Sequence, residues 1–223
     1  MTIADIEREA GKRLDAFVDA AFAFAVTLLI IAGAEPLTSF ADLGRALAHV
    51  PAFASGFALV TMFWAAHRGF GRLTSERGGA IGLISLAIVF TVLVYVFPLR
   101  LLTETGMGWM SGGRLPGAEL IGSLDDLRGI FVAYGIGFGF LSLLFVLLNH
   151  CGRRHAHDEA ARVALTAARD VWILCVGAGL VSAGLAASPL LAGMPWAPGF
   201  AYWLIPAGIG VYYGVKRRPK AAV

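Results

Sequence analysis

The stretch RLDAFVDAAFAFAVTLLII, residues 13–31, is an apolar run long enough to cross a bilayer as a helix. Its polar residues include Arg13 at its mouth, Asp19 near its inner end and Thr27 deeper in. An ionisable group inside a membrane span is costly, so it faces protein or water and marks a functional position. The run therefore sets both the class of the protein and the place to look for what it does.

The rest of the chain agrees with that class. Of its 223 residues 58% are hydrophobic and 15% are charged, with a mean hydropathy of +0.74. Soluble domains carry about 25% charge, so this composition fits an integral membrane protein. Apolar runs of about 20 residues give six spans, near 14–34, 50–67, 80–102, 128–149, 170–192 and 197–215. Together they make a single all-α membrane domain over residues 1–223. Pro206 is expected to kink the last span, since it falls inside it.

Basic residues then orient the spans. With the N-terminus in the cytoplasm, fourteen of the eighteen Lys and Arg residues fall on inner segments. Only Arg45, Arg100, Arg114 and Arg128 fall outside, a bias of the positive-inside kind that places both termini in the cytoplasm. The formal charge of +3 and pI near 9.1 thus reflect helix orientation, and no nucleic-acid partner is expected. Arg8, Lys12 and Arg13 before an apolar run ending Ala32-Gly33-Ala34 also look like a secretory leader. The run exceeds a leader's apolar core and holds Asp19, so a retained span is expected. The membrane is the plasma or inner membrane.

Other features are weaker. The outer segment 103–127 is rich in Gly and polar residues and reads as an ordered cap or a loose loop. Gly135 and Gly139, Gly179 and Ala183, and Gly210 and Gly214 are each four apart, the spacing that lets membrane helices approach closely. Gly is also common filler in such helices. Cys151 and Cys175 do not look like disulfide partners. Asn149 to Glu159 collects three His, one Cys and two acids, which are metal-ligand types, but without zinc spacing and beside Arg153 and Arg154. A solvated loop is expected there, with no metal beyond transient potassium and no cofactor. The tail Lys216-Arg217-Arg218-Pro219-Lys220 suits anionic lipid headgroups or simple retention on the inner side. No hydrolase, zinc-protease or phosphate-loop motif is present, so the chain does not read as an enzyme.

At about 100° per residue, Phe24, Thr27 and Ile31 share a sector of roughly 60°. Glu35 continues this stripe to the outer mouth, while Asp19 points about 140° from Phe24. A six-helix protomer is too small to enclose an aqueous path easily, so a conduit would form on a symmetry axis between copies. The stripe would then give stacked rings, with apolar layers that gate by dewetting and a hydroxyl layer that replaces ion hydration. Ordinary helix packing fits the same stripe. In the second span Trp64 and His67 are three apart and share a face. His67 lies at a depth comparable with Asp19, so the two would satisfy one another; an interfacial Trp and His at a helix end is the plainer reading.

Arg13, Phe17, Asp19 and Thr27 match the opening frame of the endolysosomal potassium channel family known as transmembrane protein 175, and the chain resembles its bacterial branch. Trp64 and His67 match that branch's second span, and Val96-Phe97-Pro98 resembles the end of its third. The resemblance implies a homotetrameric potassium channel whose first helix lines the pore, with no Thr-Val-Gly-Tyr-Gly filter. It implies a constriction at Phe24, further layers at Thr27 and Ile31, and a structural network of Arg13, Asp19, Trp64 and His67. Potassium ions and membrane lipid are the implied partners. The chain departs from the pattern at Val18, where the family has Ser, and at Arg68, where many relatives have His. It departs also at Phe24, which is aromatic, and in a third span without the expected Asn. Two other classes fit the residues: a proton-coupled transporter using Asp19 and His67, and a non-conducting membrane scaffold with the Phe24 stripe buried inside its own protomer.

Overall fold

The computed structural model describes residues 3–32, 36–74, 77–117 and 120–216. Its long helices follow the apolar runs, because a backbone in lipid must satisfy its own hydrogen bonds. They are α1 (Ile3–Ile31), α3 (Val50–Gly71), α4 (Gly79–Met110), α5 (Leu124–Gly152) and α6 (Glu159–Ala187), joined by a short α2 (Phe40–Ala48). These five long helices are apolar enough to cross a membrane. Among the described residues no strand occurs, only an isolated bridge between Thr74 and Ala156 that ties the α3–α4 and α5–α6 loops together.

The sixth expected span is broken. In place of one helix over 197–215 there are α8 (Ala197–Phe200), a 3-10 turn (Ala201–Trp203) and α9 (Leu204–Lys216), preceded by α7 (Leu190–Gly193). Pro198 sits in the first turn of α8 and Pro206 in the first turn of α9. A missing N–H costs nothing at either place, because those donors are unpaired in any helix. The irregularity therefore falls upstream of Pro206, in the 3-10 turn, rather than as a kink within the helix. Tyr212 of α9 donates a 3.0 Å hydrogen bond to Asp170 of α6, so this segment is docked on the bundle.

The outer segments are more ordered than their composition suggests. α4 continues past the expected end of its span to Met110. It does so with Glu104 buried, because Arg100 one turn earlier donates to it at 2.8 Å. Ser39 caps α2 and Ser123 caps α5, each in a reciprocal capping box, with Asp42 and Asp126 respectively. Hydrogen bonds from Thr38 and Ser39 hold the Asp42 carboxyl well below the usual carboxylate range.

The core is apolar and aromatic. Phe63 of α3 and Phe145 of α5 are fully buried, and Trp172 of α6 stacks on both, at 5.9 and 4.5 Å between centroids. The closest helix approach is α5 on α6. A Cβ on Gly135 would lie 2.7 Å from the Gly179 carbonyl oxygen, and one on Gly179 would lie 2.7 Å from that of Gly135. Gly139 and Ala183 complete the contact, so two of the three small-residue pairs pack on each other. A Cβ on Gly210 or Gly214 would meet nothing within 4 Å. Because backbone rather than a flexible side chain blocks the space, Gly179→Leu is expected to destabilise the bundle by about 3 kcal/mol. Gly210→Leu should leave it near wild type; thermal unfolding in detergent compares the two.

Candidate pore helix and its anchors

Two opposed faces define α1. Val18, Phe22, Ala25 and Leu29 recur at four, three and four residues and are buried against α3 and α4. Leu29 reaches into the space that Gly56 of α3 leaves open, where a Cβ would lie 2.8 Å from its Cδ2. Val18, which stands where the family frame has Ser, is wholly buried in this contact. The opposite face carries Phe17, Phe24 and Ile31, which are 54%, 55% and 59% exposed. Thr27 is exposed between Phe24 and Ile31, and its hydroxyl donates to the Ala23 carbonyl at 3.2 Å. The protomer therefore leaves the Phe24 stripe bare; a scaffold that buries it among its own helices is not this arrangement. Glu35 lies outside the described residues.

The polar residues of α1 meet partners on its flank. Trp64 Nε1 donates to Asp19 Oδ1 at 2.8 Å, joining α3 to α1. The Arg68 guanidinium lies 5.2 Å from the Trp64 ring centroid, in the range of a cation–π contact. His67, one turn beyond Trp64, is buried, and its Nε2 shares a 3.0 Å hydrogen bond with Ser85 Oγ of α4. Asp19 and His67 thus have separate partners and do not hydrogen-bond to each other. Trp64 takes the carboxylate, while His67 turns toward α4. Ser85 supplies a polar partner on the third span, which has no Asn. Arg13 is exposed at the inner end of the helix.

A stronger anchor lies beside these residues, and the sequence reading missed it. Arg77, in the α3–α4 loop, donates from Nε to Asp15 Oδ1 at 2.8 Å. Its Nη1 and Nη2 donate to the carbonyls of Thr74 and Gly71, at 2.7 and 2.9 Å. The Arg77 side chain is only 10% exposed, against 44% for Asp15. Gly11 of α1 leaves it room, because a Cβ there would lie 3.0 Å from Arg77 Cγ. Asp15 precedes Asp19 by four residues, one helical turn on the same flank; that spacing was the available signal. At the outer end a second cluster went unread: Glu104 is buried between Arg100 and His49, whose Nδ1 lies 3.3 Å from its carboxylate.

Among the described residues no group of three His, Cys, Asp or Glu side chains is placed to hold a metal ion, the segment from Asn149 to Glu159 included. Residues 13–98 match the profile of the family described as endosomal/lysosomal potassium channel TMEM175. A curated protein from Marivirga tractuosa, named "Potassium channel", is 32% identical over 142 residues, covering 61% of this chain. The chain spans 57% of that relative's length. The fold is similar to the crystal structure of a threonine-to-alanine variant of the potassium channel MtTMEM175 in complex with a nanobody–MBP fusion protein. That likeness has a TM-score of 0.75 at 23% identity and covers 93% of this chain and 94% of that one. The relatives are channels, not enzymes.

Proposed function

From its likeness to the endosomal/lysosomal potassium channel TMEM175 family, over the segment that contains α3 and most of α1 and α4, we propose that this chain is the subunit of a passive potassium channel. Four copies surround a shared axis in the plasma or inner membrane, each with six membrane segments, both termini in the cytoplasm and α1 toward the axis. Phe24, Thr27 and Ile31 line the path, and Glu35 at the outer mouth concentrates cations. The observation that carries this reading is the bare stripe on α1, opposite a packed face, within the matched residues.

The chemistry follows from the side chains. Rings of Phe24 and Ile31 exclude water and set a dewetting barrier. The Thr27 proton is committed to the Ala23 carbonyl, so its oxygen offers lone pairs to the path. Four such oxygens replace part of the hydration shell of a potassium ion. The Trp64–Asp19 bond ties α1 to α3, and the His67–Ser85 bond ties α3 to α4, so that together they hold the rotation of α1. A proton relay has less support, because Asp19 and His67 are bonded to different partners.

Crosslinking tests the arrangement directly. In a background with Cys151 and Cys175 replaced by Ser, Phe24→Cys should oxidise to disulfide-linked dimers and lose potassium flux in liposomes, with both changes reversed by reductant. Monomer alone after oxidation, or an assembled wild type that passes no potassium against a gradient, would overturn the proposal.

A further inference from the structure

We propose that the inner end of the bundle holds a site for a phosphomonoester anion, between the start of α4 and the α5–α6 junction. The site is separate from the α1 stripe and does not depend on conduction. Two adjoining cavities of about 410 and 330 Å³ open there and share His150 and Arg154 in their walls. His155 adds to the first, and Arg153 and Arg162 to the second. None of the described residues lining either cavity is acidic. Of the acids described in the adjoining segment, Asp158 caps α6 by accepting from the Ala161 N–H at 2.7 Å, and Glu159 pairs at 2.6 Å with Arg162, which leaves Arg153 and Arg154 as the cations of the wall without a carboxylate partner among the described residues.

Two further features favour an anion. Arg153, in the wall of the second cavity, has a buried Nε with no hydrogen-bond partner among the described residues, so no acid holds its guanidinium there. The opposite wall is the first turn of α4, from Gly79 to Ile81, and α4 begins without a side-chain cap. The leading N–H groups of a helix favour negative charge. Gly79 has φ of +53°, a conformation that L side chains rarely adopt, so this wall stays open backbone.

The ligand class follows from the donor set. Two guanidinium forks, two imidazoles and a helix start together suit a dianion with several acceptor oxygens, which a phosphomonoester supplies and a carboxylate does not. The combined volume exceeds one phosphate and accepts the glycerol or sugar that carries it. In the orientation set by the basic residues, the site sits at the inner membrane surface. There a lipid headgroup and a soluble phosphate are both within reach.

The test uses the full-length protein in detergent, titrated calorimetrically with dioctanoyl phosphatidic acid, dioctanoyl phosphatidylglycerol and inorganic phosphate. Phosphatidic acid should bind saturably and phosphatidylglycerol, a phosphodiester, more weakly. The Arg153→Gln, Arg154→Gln double variant should bind phosphatidic acid roughly tenfold or more weakly, from the loss of two phosphate-facing cations. Arg154→Lys, which keeps the charge at an exposed position, should retain most of the affinity. Binding of inorganic phosphate that competes with the lipid identifies a soluble source; lipid binding unaffected by phosphate identifies the membrane. Absence of binding by every probe, or equal affinity in the wild type and the double variant, would overturn the site.

Discussion

Potassium flux through a channel carrying Phe24→Ser and Ile31→Ser together is expected to rise roughly tenfold, the rate change that follows from about 1.4 kcal/mol off a barrier. In the proposed tetramer the two substitutions replace eight apolar side chains on the axis with hydroxyls. Water then fills the path, and the ion no longer sheds hydration to pass the dewetted layers. Both side chains are more than half exposed in the protomer, so removing them leaves no cavity and should not lower its stability. The effect therefore separates a pore from a lipid-facing stripe. If the stripe faced lipid, serine there would be a small cost to insertion and would leave flux alone. Valinomycin-calibrated efflux from liposomes measures the difference. An assembled double variant with wild-type flux would refute the pore assignment, and Thr27→Ala, which removes the intervening oxygens, should shift the potassium-over-sodium ratio while conduction persists.

Arg77→Met should cost about 3 kcal/mol of stability, the low end for removing one partner of a buried ion pair. The low end applies because Asp15 is 44% exposed, so water screens part of its charge once the guanidinium is gone. The remaining cost comes from the carbonyls of Thr74 and Gly71, which lose their donors. Arg77→Lys should recover only part of this, since one ammonium cannot reach three acceptors set out for a planar fork. The expected readout is a lowered thermal midpoint and a smaller fraction of assembled protein by size exclusion, in the order wild type, Lys, Met. A Met variant that assembles and melts like wild type would show that the anchor is ornamental.

The long helices could be read from the chain because each apolar run is dictated by lipid and needs no tertiary partner. The packed face of α1 and the stripe opposite it were both present in the 3.6-residue period. The Gly135 and Gly179 contact was legible as spacing, although spacing alone did not distinguish it from Gly210 and Gly214. What stayed hidden depends on which helix lies beside which. Arg77 finds Asp15 across 62 positions, and the one-turn spacing of Asp15 from Asp19 marks a polar flank without naming its partner. Asp19 and His67 matched in depth, yet the direction of each side chain sent them to Trp64 and Ser85. The extension of α4 to Met110 was obscured by Glu104, which looks like loop composition until Arg100 is seen to neutralise it one turn away. Pro195, Pro198 and Pro206 cluster too closely for an unbroken last span, and the chain answers with a short helix, a tight turn and a second helix.

Among the described residues, the polar ties from α1 to its neighbours are Asp15 to Arg77 and Asp19 to Trp64. Beyond Phe22 the helix grips its neighbours through Ala25, Val26, Leu28 and Leu29, by apolar contact alone. A rod clamped at one end swings from that clamp, and its far tip travels furthest. Leu29 at the Gly56 notch is then the latch, and a stimulus acting on the outer face has the longer lever arm over the aperture.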